Sequence, residues 1–163
     1  LRQESSVEDI LGALDRHHLP AALLELEVTE TSFMTNMADA IRKLNQLQQA
    51  GIVISVDDFG TGYSSLTYLK KMPVHSLKID KQFIRDLLVN EEDTRIANII
   101  IDLGRSLKLK VIAEGVETAE QEAYLTRRGC DIGQGYFFSK PVPPRDFESF
   151  LKTFHRNIVE NNT

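Results

Sequence analysis

The sequence predicts an α/β fold in which strands and helices alternate around a parallel sheet. Strand-like and helix-like patterns alternate with a period of roughly 25 to 35 residues. This period is typical of right-handed crossovers on a parallel sheet. No Gly/Ser/Pro-rich linker or low-complexity segment divides the 163 residues, so we expect one domain over 1–163. About five strands are visible, whereas a closed eight-stranded barrel takes about 250 residues. The pattern therefore fits either an open doubly wound sheet or a barrel without its first strands.

The first half of the chain is predicted to contain two helices and two strands. Residues 5–8 form a capping box for a helix that ends before Pro20. The alternating residues 23–28 predict the first strand. The second helix ends near Gly51, and its apolar stripe consists of Met37, Ile41, Leu44 and Leu47. The apolar run at 52–58 predicts the second strand.

The second half alternates in the same way. Its clearest helical stripe consists of Ile96, Ile99, Ile100, Leu103 and Leu107. The other predicted elements are a short helix at Leu66, Leu69 and Met72, strands at 76–80 and 109–114, a helix opened by a capping box at 118–121, and a weak strand or turn at 131–136. A last helix begins at Pro143 and Pro144, and one of its faces carries Phe147, Phe150, Leu151 and Phe154.

The composition limits the class of function. The formal net charge of -5 argues against binding of long nucleic acid, which needs a basic face. No apolar run approaches the roughly 20 residues of a membrane span, and residues 1–4 do not resemble a signal peptide. The single Cys130 cannot form an internal disulfide, which favours a reducing, cytoplasmic location and a packing role for this thiol. An anionic ligand would have to be attracted through bound metal ions.

The most informative stretch follows the second strand, where Asp57 and Asp58 are adjacent. Two neighbouring carboxylates are costly to ionise together unless a cation lies between them. Gly60 and Gly62 allow a tight, mobile loop beside the aspartates. A solvated strand-to-helix turn is the simpler alternative, because Asp and Gly are common turn residues. A dinucleotide-binding fingerprint is disfavoured because its third glycine is absent.

The other strand ends favour the site over the simple turn. Successive strands end in Glu27, Asp57 with Asp58, Lys78 and Glu114. The carboxyl ends of parallel strands in a barrel surround one common site. Such oxygen ligands suit Mg²⁺ or Mn²⁺ better than Zn²⁺, and two ions can clamp the attacking and leaving oxygens of a phosphodiester. The four histidines are expected to lie away from this site, and they are His17, His18, His75 and His155.

These motifs resemble, in order and spacing, the EAL domain of cyclic di-GMP phosphodiesterases. The matching segments are 27–30 (EVTE), 57–65 (DDFGTGYSS), 77–80 (LKID), 113–117 (AEGVE) and 134–136 (QGY). The resemblance covers nearly the whole chain. It implies a modified, TIM-like (β/α)8 barrel that hydrolyses cyclic di-GMP to linear pGpG with two Mg²⁺ or Mn²⁺ ions.

The resemblance also implies roles for individual residues. Glu27 and Asp57 match metal ligands, with Asp57 bridging the two ions and Asp58 on the second ion. Glu114 matches a second-metal ligand or general base, and Lys78 matches the residue that holds the attacking water.

Three further positions match the family outside the metal ligands. Gln134 matches a substrate-site residue. Glu30 matches the anchor of the Asp-Phe-Gly-Thr-Gly loop, and Glu117 belongs to the same motif as Glu114. In the family, that loop and the helix after the Lys78 strand connect the site to a dimer interface, so a homodimer is expected.

The family's Glu-Ala-Leu motif and an Asn ligand belong upstream of Leu1, so the chain is expected to be the C-terminal part of the barrel. This segment alone is then expected to lack two metal ligands, and a sensor or cyclase domain is expected upstream in the parent protein. The main alternative is a non-catalytic cyclic di-GMP receptor. A carboxylate-pair glycosidase or a Lys78 Schiff-base aldolase is a weaker alternative, because the paired aspartates and the absence of Trp disfavour both.

Overall fold

A computed structural model describes residues 6–29, 37–61 and 69–160. The helices are α1 (Ser6–Arg16), α2 (Met37–Gln49), α3 (Lys81–Arg85), α4 (Glu91–Leu107), α5 (Ala119–Arg128) and α6 (Pro144–Glu160). The strands are β1 (Glu25–Thr29), β2 (Val53–Phe59), β3 (Ser76–Ile79), β4 (Lys110–Glu114) and β5 (Ile132–Gln134), and a short 3-10 helix spans Ala21–Leu23.

The five strands form one parallel sheet in the order β1-β2-β3-β4-β5. Each strand therefore pairs with the next strand along the chain. A doubly wound sheet reverses its strand order at a switch point, whereas a βα barrel adds its strands in sequence. The observed order thus excludes the doubly wound alternative for the described strands and matches part of a (β/α)8 barrel.

The two faces of the sheet differ in chemistry because side chains alternate along each strand. One face carries the buried apolar residues Ile54, Val56, Leu77, Ile79 and Val111. Buried helix residues, including Leu44, Leu47, Ala97 and Ile101, belong to the same core. Burial of each large aliphatic side chain contributes about 1.5–3 kcal/mol, so this layer holds the helices on the sheet. The polar residues at the strand ends, such as Lys78 and Glu114, lie on the opposite face of the sheet.

The predicted elements that lie within the described residues are present, with bounds shifted by a residue or two. β1 begins at Glu25 rather than at residue 23, because the chain first makes a 3-10 turn after Pro20. α4 begins at Glu91, where the Asn90 side chain accepts hydrogen bonds from two backbone N–H groups. The short helix α3 was not predicted. Most of the short helix predicted around Leu66, together with residue 5 of the first capping box, lies outside the described residues.

The ends of α5 follow from local sequence. Thr118 and Gln121 form the predicted capping box at its start. Gly129 ends the helix with a φ of 83°, a left-handed conformation that favours glycine. Within the described part of the chain, no helix is both long and apolar enough to cross a membrane.

Candidate active site

A β-bulge in β2 places the paired aspartates at the end of the sheet. Val56 pairs with Leu77 and Phe59 pairs with Ile79, so the two aspartates lie opposite Lys78 alone. Asp58 has a φ of 52°, a left-handed conformation that Asp tolerates better than most residues. The extra residue allows both carboxylates to reach the same end of the sheet.

Lys78 lies at the centre of this group of acids. Its side chain is only 4% exposed, and its ammonium contacts Glu27 and lies 2.6 Å from Glu114 Oε1 and 3.4 Å from Asp57 Oδ1. Burial, the largest single effect, lowers the pKa of Lys78, but the hydrogen bonds to Glu114 and Glu27 and the nearby carboxylate charges outweigh it. The pKa therefore lies above its usual range, and Lys78 is a firmly charged cation between three carboxylates.

A second acidic contact joins Asp58 to Asp80. A hydrogen bond between their carboxyl groups is the main cause that raises the pKa of Asp58, and burial and the charges of Asp57, Asp80 and Glu114 add to it. Asp80 Oδ1 also accepts a hydrogen bond of 2.7 Å from the backbone of Gln82 and so caps α3. Sequence reasoning assigned no role to Asp80. Its position directly after a strand and before a helix is the signal that could have found it.

Three of these acids fit a divalent cation. Asp57, Asp58 and Glu114 each offer one carboxylate oxygen, and the three oxygens lie within 4.8 Å of one another. Asp57 Oδ1 is buried and accepts no hydrogen bond from the described residues. The Lys78 ammonium lies 3.4 Å away but makes no hydrogen bond to this oxygen, so a bound cation would satisfy it better. The donor set consists only of carboxylates, which suits Mg²⁺ or Mn²⁺.

Glu27 contacts the other side of this site. It was predicted as a metal ligand, but among the described residues it is not part of the three-acid cluster. The register gives the reason, because Thr29 of β1 is the partner of Asp57, whereas Glu27 pairs with Ser55. Glu27 therefore lies two residues lower along the sheet, is half exposed, and reaches the site through the Lys78 ammonium.

Gln134 and Glu117 lie beside the acids rather than among them. Gln134 is the strand partner of Glu114 on β5. Gln134 and Glu114 both line a cavity of about 330 Å³. Its other lining residues are Lys81, Gly115, Glu117, Gly135 and Tyr136. Glu117 is exposed at this cavity, and Glu30 lies outside the described residues. The cavity lies at the carboxyl ends of β4 and β5, next to the acidic cluster, where part of a ligand could bind.

The remaining polar candidates lie elsewhere. His75 precedes β3 at the opposite end of the sheet, where its Nδ1 accepts a hydrogen bond of 3.1 Å from the backbone of Ile54. His17 and His18 are exposed after α1. Cys130 is partly buried, and this burial raises the pKa of its thiol, which fits a packing role.

Gly135→Ala is expected to destabilise the domain by about 1–3 kcal/mol, because the added methyl group overpacks the turn after Gln134. A Cβ at Gly135 would lie 2.1 Å from the backbone oxygen of Val116, so the turn must move. Urea denaturation measures the loss. Gly12→Ala is the control, since a Cβ at this helical position meets only the flexible Arg16 side chain, at 3.4 Å. Equal stability of the two variants would contradict this prediction.

Sequential parallel strands with a carboxylate cluster at their carboxyl ends define a barrel-type α/β domain whose acids could hold a divalent cation. The model of the EAL domain family matches residues 1–141, and the chain belongs to this family.

Two curated relatives match most of the chain. The signaling protein YkoW of Bacillus subtilis is 50% identical over 142 residues, which cover 87% of this chain and 18% of YkoW. The cyclic di-GMP phosphodiesterase NbdA of Pseudomonas aeruginosa is 45% identical over 154 residues, which cover 94% of this chain and 20% of NbdA. The chain thus spans about a fifth of the length of these relatives.

Solved structures share the fold. The PaMucR phosphodiesterase in complex with c-di-GMP is 44% identical, with a TM-score of 0.86 over 90% of this chain and 59% of that chain. BlrP1 of Klebsiella pneumoniae, in a complex with manganese and cyclic di-GMP, is 31% identical, with a TM-score of 0.76 over 85% of this chain and 35% of that chain. The described sheet is therefore part of a TIM-like barrel of the EAL type.

Proposed function

We propose that this chain is the C-terminal part of a phosphodiesterase domain that hydrolyses cyclic di-GMP to linear pGpG with two Mg²⁺ or Mn²⁺ ions. The observation that carries the proposal is the cluster of Asp57, Asp58 and Glu114 beside the buried Lys78. The relatives and solved structures named as cyclic di-GMP phosphodiesterases support the choice of substrate. The manganese complex of BlrP1 supports the choice of metal.

The residues of this chain have distinct tasks in such a reaction. Asp57, Asp58 and Glu114 would hold the ions, and Asp57 is suited to bridge them because its buried Oδ1 lacks a donor among the described residues. When bound, two ions supply charge stabilisation to the attacking and leaving oxygens of the phosphodiester. As the oxygen of the attacking water bonds to phosphorus, the bond from phosphorus to one ribose 3′ oxygen breaks, and the leaving oxygen takes up a proton from solvent. The water would give up its proton to Glu114 if this carboxylate acts as the general base rather than as a metal ligand.

Lys78 contributes a fixed positive charge. Its ammonium already donates to Glu114 and Glu27, so it is held in place before a ligand arrives. From there it can orient the attacking water or donate to a non-bridging phosphate oxygen, where negative charge grows in the transition state. Gln134 and the neighbouring cavity would bind a more distant part of the dinucleotide.

The proposal extends to the whole protein. Because the chain spans about a fifth of its curated relatives, we propose that the parent also carries sensor or cyclase domains. We further propose that the phosphodiesterase domain works as a homodimer in the cytoplasm. Size-exclusion chromatography with light scattering measures the oligomeric state, and a strictly monomeric active enzyme would contradict the dimer.

The test is hydrolysis by the purified full-length protein. Cyclic di-GMP is incubated with Mn²⁺, with Mg²⁺ or after exhaustive chelation, and the nucleotides are separated by chromatography. We expect linear pGpG with either metal, none after chelation, and recovery when Mn²⁺ is added back. Activity that survives chelation would contradict the metal requirement. Tight binding of intact cyclic di-GMP without turnover would support a receptor instead.

A further inference from the structure

The side chain of Gln121 is buried and fully hydrogen-bonded. Its Oε1 accepts from the backbone of Glu117 at 2.8 Å and of Thr118 at 3.1 Å. Its Nε2 donates to the backbone oxygens of Ile84 at 2.8 Å and Arg85 at 3.2 Å. An amide group has two donor hydrogens and one oxygen that can accept twice, so all of its capacity is used. The residue is only 6% exposed, and loss of any of these bonds would leave a buried polar group unpaired.

This one amide joins the two segments that carry the site. Glu117 and Thr118 lie in the turn between Glu114, the last residue of β4, and the start of α5. Ile84 and Arg85 form the end of α3, which begins directly after Lys78 and Asp80.

A second contact holds the same two segments together. Gly115, with a φ of 73°, lies so close to α3 that a Cβ there would be 2.8 Å from the Cβ of Lys81. The turn after Glu114 therefore lies directly against the start of the helix after Lys78.

We propose that Gln121 is a positioning residue that fixes Glu114 relative to Lys78 and to the Asp58–Asp80 pair. Its catalytic consequence rests on the proposed phosphodiesterase function. Capping of α5 requires only the Oε1 acceptor of Gln121 and the Thr118 hydroxyl, which accepts from the Gln121 backbone at 3.2 Å. The Nε2 donors are not needed for the cap, and they reach a different helix. The amide thus has a second task, which is to hold α3 against the Glu114 turn.

The two tasks can be separated by two variants. Gln121→Glu keeps a capping box, because Glu serves there as well as Gln, but it loses the donors and sets a carboxylate against the oxygens of Ile84 and Arg85. Thr118→Ala removes the cap and leaves the Nε2 bonds in place. Gln121→Glu therefore breaks the connection between α5 and α3. Thr118→Ala weakens the N-terminus of α5 but leaves that connection in place.

The experiment measures Mn²⁺ affinity by titration calorimetry, and kcat and KM for cyclic di-GMP, in the full-length protein. We expect Gln121→Glu to bind Mn²⁺ about tenfold or more weakly and to lose about tenfold or more in kcat, the usual range for residues that orient metal ligands. KM is expected to stay within about twofold. The added negative charge would by itself favour cation binding, so weaker binding would report lost geometry. Thr118→Ala is expected to lower the melting temperature but to keep affinity and kcat near wild type.

The outcomes distinguish this proposal from the proposed function. Wild-type Mn²⁺ affinity in Gln121→Glu would overturn the positioning role, as would an equal loss of affinity in Thr118→Ala. If the wild-type protein does not hydrolyse cyclic di-GMP, the proposed function fails, and the Mn²⁺ affinities of the two variants still decide the role of Gln121. If Gln121→Glu does not fold, Gln121→Met, which lacks both the Nε2 donors and the Oε1 acceptor, is compared with Thr118→Ala. A loss of Mn²⁺ affinity in Gln121→Met but not in Thr118→Ala would then support the positioning role, and equal affinities would overturn it.

Discussion

Asp57→Ala is expected to reduce turnover of cyclic di-GMP by about 10³-fold or more while leaving the fold intact. Asp57 is the acid that we propose as the bridging ligand, and its buried Oδ1 accepts no hydrogen bond from the described residues. Without metal, its charge is repelled by Asp58 and Glu114, and the nearest ammonium is 3.4 Å away. The substitution to Ala therefore removes a proposed metal ligand and at the same time relieves this repulsion. The measurement is pGpG formation with saturating Mn²⁺.

Melting temperatures provide the control for this prediction. Mn²⁺ is expected to raise the melting temperature of the wild-type protein and to have little effect on Asp57→Ala, because a ligand stabilises only the state that binds it. Asp146→Ala, which removes an exposed acid in the first turn of α6, is expected to behave like the wild type in both assays. A large drop in the melting temperature of the metal-free Asp57→Ala and Glu114→Ala variants would contradict the view that these acids serve function rather than folding.

The fold was largely predictable because its strands and long helices have strong periodicity. The side-chain parity of β3 and β4 separates Leu77, Ile79 and Val111 from Lys78 and Glu114, and the structure buries these three aliphatic side chains. α3 was missed because it has only five residues, too few for a helical stripe to appear. Its N-cap, Asp80, reads in the sequence as the last residue of a strand.

The site was predictable as a set of strand ends but not as a geometry. The bulge between Val56 and Phe59 depends on how β2 pairs with β3, and no local sequence signal fixes it. The position of Glu27, two residues before the partner of Asp57, likewise depends on the register between β1 and β2. The role of Gln121 in joining α3 to the Glu114 turn was hidden because the partners lie 36 and 37 residues apart.

Lys78→Met is expected to have an effect on stability opposite to that of Asp57→Ala. The ammonium is buried among three carboxylates, so its removal leaves Glu27, Asp57 and Glu114 without their shared counter-charge. Breaking a buried ion pair typically costs about 3–5 kcal/mol, and the cost here is expected at about 2–3 kcal/mol because half-exposed Glu27 can turn to solvent. Turnover is expected to fall about 10²-fold or more. Urea denaturation of the metal-free protein at pH 7 measures the stability loss, with Lys152→Met on the exposed face of α6 as the control.

The difference in stability between wild type and Lys78→Met depends on pH because the pKa of Lys78 is raised in the folded protein. In the unfolded chain a lysine titrates at about pH 10.4. Below that pH both states hold the proton, and the stabilisation is complete. Above it the unfolded state releases its proton first, so the stabilisation is lost as the pH rises towards the pKa of the folded state. The gap in stability between wild type and Lys78→Met should therefore stay constant from pH 7 to about pH 10 and then narrow. A gap that is absent at pH 7, or that widens above pH 10, would show that the charge of Lys78 does not hold the three acids together.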